Sequence, residues 1–143
     1  MEQKRFVTED EEGTWAVARE FAAELKPGDV VCLEGDLGAG KTTFTQGLAA
    51  ALGAGRAVTS PTFCLVSEHP ARDFMLVHMD LYRLHGPDDV LAIGWEDYLA
   101  QGAVLVVEWP DRAGDLIPPS ARHVAFTHLP GAAGCRRAIE FNP

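Results

Sequence analysis

Eight residues restrict this chain more than any others: Gly35-Asp36-Leu37-Gly38-Ala39-Gly40-Lys41-Thr42. They read as a glycine, four residues, then Gly-Lys-Thr, with a further glycine inside, which is the pattern of a phosphate-binding loop. Such a loop needs an apolar strand entering it and a helix leaving it. Only then do backbone N–H groups and the positive end of the helix converge on phosphate oxygens. Both flanks are present. Val30-Val31-Cys32-Leu33 is short and wholly apolar, as a buried parallel strand would be. Phe44, Leu48, Ala51 and Leu52 recur at helical spacing until Gly53 can end the helix. By composition alone such a match arises in roughly one in a few hundred chains of this size, so the flanks strengthen the reading. Lys41 is expected to neutralise the β and γ phosphates of a nucleoside triphosphate, and the Thr42 hydroxyl to ligand magnesium. A dinucleotide fold is disfavoured, because Gly38-Ala39-Gly40 is followed by Lys41-Thr42-Thr43 and lacks the third glycine of that fingerprint.

The rest of the chain fits the same frame. Val17, Ala18, Phe21, Ala22 and Leu25 predict a helix over Trp15 to Leu25, closed by Pro27-Gly28-Asp29. Phe63 to Val66, Phe74 to Met79, Val104 to Val107, Val124 to Thr127 and Ala138 to Phe141 read as strands, and Asp88 to Leu99 as a helical stretch. Helices between strands favour an α/β fold, a three-layer P-loop NTPase-like sandwich with a mixed, mostly parallel sheet. The last two strands, with no clear helix between them, are candidates for antiparallel pairing. Without internal repeats or low-complexity stretches, residues 1–143 are expected to form a single domain.

Charge narrows the partners. The net charge of -9 disfavours an independent nucleic-acid binder, since affinity for phosphate backbones comes from clustered Lys and Arg. Cys32, Cys64 and Cys135 are too far apart for a CxxC pair or a four-ligand zinc set and read as reduced, structural thiols. The charged start MEQKRFVTEDEE, and the lack of any apolar run near the ~20 residues that cross a bilayer, favour a cytoplasmic protein without a membrane partner.

Two apolar runs end in carboxylates, Asp80 and Glu108. One is expected to hold magnesium, directly or through water, and the other to position the attacking water; otherwise each merely ends a strand beside solvent. Thr59-Ser60-Pro61-Thr62 falls where nucleotide switches place a γ-phosphate sensor, but suits an ordinary turn equally well. Trp109, next to Glu108, could stack on a base or pack the site. The five histidines form no metal-binding spacing and are assigned no independent chemistry.

Three classes then compete. A GTP switch needs an Asn-Lys-x-Asp motif, and the only asparagine is Asn142. A small-molecule kinase needs an acceptor pocket and usually an arginine-bearing lid, for which Arg83 or Arg112 are the candidates. The third class is an ATPase that drives a partner. GDLGAGKTTFTQGLAAALG, TSPTF, HMDLYRL and VEWPDR, in this order and spacing over roughly residues 12 to 112, resemble the bacterial tRNA threonylcarbamoyladenosine biosynthesis protein TsaE family. The resemblance implies a Mg2+-dependent ATPase that assists the TsaD and TsaB subunits in threonylcarbamoylation of adenosine 37 of tRNAs reading ANN codons. It would not itself be the transferase, and would meet tRNA only through the assembly. Carried over residue by residue, Gly38, Ala39, Gly40, Lys41, Thr42 and Thr43 hold ATP, with Thr14 and Trp109 near the nucleotide. Thr42 and Glu108 take the magnesium, and Asp80 is needed for hydrolysis.

Overall fold

A computed structural model describes residues 3–35, 40–54, 65–130 and 136–142. Among the described residues there are seven strands: β1 (Lys4–Thr8), β2 (Val30–Gly35), β3 (Val66–Pro70), β4 (Met75–Asp80), β5 (Val104–Glu108), β6 (Arg122–His128) and β7 (Arg137–Phe141). They form one sheet in the order β1-β7-β6-β2-β5-β4-β3. β2 pairs in parallel with both β5 and β6, and β4 with β5, whereas β1–β7, β6–β7 and β3–β4 are antiparallel. Following these pairings, β1, β2, β4, β5 and β6 run one way and β3 and β7 the other. The sheet is therefore mixed, with five of its seven strands in one direction. The last two strands do pair antiparallel.

Burial explains which strands are central. All four residues Val30 to Leu33 of β2, and the whole of β5, are buried, so neither strand can sit at an edge. Period-two alternation then divides their side chains between two faces. Val31, Leu33, Leu76, Val104, Val106 and Val124 pack against the helices α1 (Glu11–Ala22) and α2 (Lys41–Ala51). Val30, Cys32, Val77, Met79, Leu105 and Val107 meet Val90, Trp95 and Ala113 on the opposite face, where α3 (Pro87–Ala92) and α4 (Trp95–Ala100) lie. The result is the three-layer arrangement expected. Burial pushes the Cys32 thiol up to about 12, with Glu34 adding to the effect, which suits an inert core thiol.

α1 starts earlier than its apolar spacing predicts because Asp10 caps it: its side chain accepts a 2.8 Å bond from the Gly13 N–H, and Glu11 and Glu12 then favour the positive helix end. α1 lies close against α2 at Gly47, where a Cβ would stand 2.8 Å from the Cβ of Ala18. The single helical stretch expected over Asp88 to Leu99 is broken at Gly94, whose φ of 101° is left-handed, so it becomes two short helices. Strand β1 and the 3-10 segment Pro110–Leu116 were not anticipated. Of the strand expected over Phe63 to Val66, residues 63 and 64 lie outside the described residues, and the described strand runs along the edge from Val66 to Pro70. No described helix is long and apolar enough to cross a membrane.

Candidate functional site

Parallel strands put their carboxyl ends on one side of a sheet, and ligands of open α/β folds gather there. β2 ends at Gly35, β4 at Asp80 and β5 at Glu108, and the register pairs Asp80 with Glu108 directly. α2 begins beside these tips. Its Gly40 has φ 108°, its Phe44 N–H donates to the Gly40 carbonyl at 2.9 Å, and no acidic side chain occupies its first turn. The positive end of the helix is therefore not neutralised from within, as anion binding requires. Lys41, Thr42 and Thr43 form that first turn. Gly38 and Ala39, together with the segment Thr59 to Thr62, lie outside the described residues.

Lys41 is the unusual member of the set, because lysine is rarely buried without a partner. It is only 9% exposed. Its Nζ donates to the Gly35 carbonyl at 2.8 Å and lies 3.7 Å from Glu108 Oε1. Glu108 is 5% exposed, and its Oε2 is 2.6 Å from His78 Nε2. Burial by itself pushes the Glu108 carboxyl up, but the His78 hydrogen bond and charge, joined by Lys41, outweigh it and hold the group below its ordinary range. The tip of β5 thus carries an ionised carboxylate with one oxygen committed to His78 and the other turned toward Lys41. Asp80 accepts from the Tyr82 N–H at 3.0 Å, which closes the turn after β4.

Trp109 follows with φ 58° and ψ 56°, a left-handed conformation that costs a bulky residue energy, more so before a proline. The ring is 41% exposed, 4.9 Å from the exposed Tyr82 ring, with Lys41 Nζ 5.7 Å from its centroid. A cavity of about 220 Å³ opens here, lined by Leu33, Glu34, Gly35, Lys41, Trp109 and Asp111 among others. Arg112 Nε lies 3.5 Å from the Tyr82 carbonyl.

Thr14 is fully buried, with its hydroxyl 2.9 Å from that of Thr8. Thr8 is the register partner of Arg137, and the Arg137 side chain lies so close to Gly40 that a Cβ there would meet its Cδ at 2.8 Å. A chain of neighbours therefore leads from Thr14 through Thr8 and Arg137 to the start of α2. Among the described residues, Arg137 Nε and Nη1 are buried without a hydrogen-bond partner. Sequence reasoning missed two residues, Arg137 and His78. Nothing local marks Arg137, which reaches the loop only through the strand order. His78 had a signal: a histidine within an apolar run, two positions before a carboxylate and so on the same face.

Two oxygens of this chain, Glu108 Oε1 and the Thr42 hydroxyl, are suited to a hard cation. Among the described residues no group of three or more His, Cys, Asp or Glu could hold a metal by itself. Such a sparse donor set fits magnesium, which usually keeps waters and completes its shell with substrate phosphates. The unpartnered Arg137 atoms and the bare end of α2 suit the phosphates themselves.

The sequence profile described as "Threonylcarbamoyl adenosine biosynthesis protein TsaE" matches residues 8–138. The tRNA threonylcarbamoyladenosine biosynthesis protein TsaE of Bacillus subtilis is 44% identical over 118 residues, covering 82% of this chain and 73% of the relative. The protein of the same name from Aquifex aeolicus is 44% identical over 111 residues, 76% of this chain and 78% of its own. A crystal structure of Bacillus subtilis YdiB superposes with a TM-score of 0.77 at 35% identity, over 98% of this chain and 84% of that one.

Proposed function

The chain belongs to the TsaE family of threonylcarbamoyl adenosine biosynthesis, and from that membership we propose that it binds and hydrolyses ATP with magnesium in support of a partner assembly. The assembly is that of TsaD and TsaB, which attaches the threonylcarbamoyl group to adenosine 37 of tRNAs reading ANN codons. One observation carries the reading: a buried lysine and a buried, ionised carboxylate meet at the strand tips beneath an unneutralised helix end.

Lys41 serves phosphate charge. Its partners, the Gly35 carbonyl and Glu108 Oε1, hold the ammonium at the strand tips, where it would meet the phosphates of a bound nucleotide. Arg137, beside Gly40, supplies a second cation with donors to spare. Bound magnesium, held by Thr42 and Glu108, would neutralise charge on the β and γ phosphates. Asp80 orients the attacking water, and its tie to the Tyr82 N–H fixes the carboxylate in place. Tyr82 and Trp109 offer an exposed aromatic pair at the mouth of the site, the kind of surface on which a partner can sense the nucleotide. With a net charge of -9, the chain is suited to acting through proteins rather than by gripping tRNA.

The test is ATP turnover measured with and without purified TsaD and TsaB, with inorganic phosphate and any phosphorylated acceptor quantified together. Slow release of phosphate that changes on adding the partners is the expected result. A phosphorylated small molecule would instead identify a kinase.

A further inference from the structure

His78 is fully buried on β4, on the sheet face that α1 and α2 cover, with Leu76 two residues before it and Val106 as its register partner. Every other buried side chain that β4 and β5 turn to this face, before their terminal carboxylates, is aliphatic: Leu76, Val104 and Val106. An imidazole there gives up its hydration. Among the described residues its Nδ1 has no hydrogen-bond partner, so the position is not chosen for polar satisfaction alone. Its one polar contact among the described residues is the 2.6 Å approach of Nε2 to Glu108 Oε2. An ionised carboxylate can only accept, so the proton of this bond sits on His78 Nε2.

We infer that His78 is a positioning residue for Glu108: by holding Oε2 from within the core, it leaves Oε1 as the single oxygen presented to Lys41 and to the nucleotide-bound cation. The inference deepens the ATP–magnesium reading and rests on it. A carboxylate at a strand tip would otherwise turn about its last side-chain bond and offer either oxygen, or both. Held at Oε2, it offers one. The same bond joins β4 to β5 two residues below Asp80, so the two carboxylates of the site keep a fixed separation. Groups behind a metal-binding side chain commonly act in this way, orienting the donor without touching the ion.

The first measurement needs neither metal nor nucleotide. In protein labelled with 15N-histidine, His78 should carry its proton on Nε2, and the resonance should move in Glu108→Gln. A neutral ring protonated on Nδ1 alone would overturn the inference. The second uses a fluorescent ADP analogue titrated with magnesium. His78→Leu should raise the half-saturating magnesium concentration about tenfold or more. Affinity without divalent ion should stay within twofold, and His78→Gln, which restores an amide donor, should recover most of the loss. Unchanged magnesium dependence in a folded His78→Leu would overturn the inference. So would an equal loss with and without magnesium, which would mark a purely structural role. If His78→Leu does not fold, the label experiment and His78→Gln still decide. Failure of the unmodified chain to bind the analogue at all would instead remove the functional reading, and the label experiment would still test the hold on Glu108.

Discussion

Among the described residues, two cavities of nearly the same size differ in how their charged groups are held. One, about 220 Å³, lies at the strand tips against Lys41 and Trp109. The other, about 230 Å³, lies between β1 and α1, with Phe6, Phe21 and Phe141 on its walls and Lys4, Glu20, Glu24 and Arg122 around them. In the second, Arg122 meets Glu24 at 3.1 Å with the glutamate side chain half exposed, and its guanidinium lies 4.8 Å from the Phe21 ring. Its aromatic rings contact one another at ordinary distances, 5.0 Å for Phe21 and Phe141 and 5.8 Å for Phe6 and Phe141. In the first a lysine and a glutamate are buried together and a tryptophan holds a left-handed backbone. Space alone does not mark a site. Buried charge and backbone strain do, because both carry a cost that packing does not return.

Substitutions can break this contrast. The largest effect is expected at the aromatic cavity, on stability rather than binding. Phe21→Ala should lower the unfolding free energy by about 3 kcal/mol or more, as for other buried phenylalanines. The folded fraction should still bind nucleotide within twofold of the unmodified chain. Denaturant melts paired with nucleotide titrations would check both. A specific loss of binding would mean the two regions are not separate, the contact of Phe21 with Phe44 on α2 being the route between them.

At the strand tips the pattern should reverse. Lys41→Ala is expected to cut ATP affinity or turnover at least tenfold, about 1.4 kcal/mol, with the fold intact by circular dichroism. Wild-type binding in that variant would remove the site.

This contrast also shows how much could be read in advance. The helix α2 and the apolar strands β2, β4 and β5 were legible because each is local, a matter of periodicity in sequence. The meeting of Lys41 with Glu108 was not, since it depends on β2 and β5 being sheet neighbours although 68 residues of chain lie between them. Arg137 is a further case, joining the site from β7, the neighbour of the edge strand β1. Strand β1 escaped notice because KRFVT buries only Thr8 fully, so its apolar alternation is faint.

A smaller effect concerns acid. The Glu108 carboxyl is held below its ordinary value in the folded chain, so its contribution to stability is complete above the unfolded value of about 4.3. It is lost as pH falls through the lower folded value. The stability deficit of Glu108→Gln should therefore be present near neutrality and shrink on acidification, in melts of both chains across that range. A deficit that grows in acid would show that burial wins over His78 and Lys41. The smallest effect is expected for Glu24→Gln, which removes the exposed ion pair at the other cavity. Stability should change by less than about 1 kcal/mol, and nucleotide binding not at all. A larger change would give that cavity a weight its exposed charges do not suggest.

The two outermost of the described strands bear on how other chains can approach. β1 exposes Lys4 and Arg5, while β3 exposes Glu68 and ends in Pro70, which has no N–H to offer. Unpaired strand edges invite another chain to add a strand or to aggregate, and charges and proline at those edges oppose both. An open sheet defended in this way steers protein contacts away from backbone pairing and toward side-chain surfaces, and it helps the chain stay dispersed at the concentrations of a crowded cell.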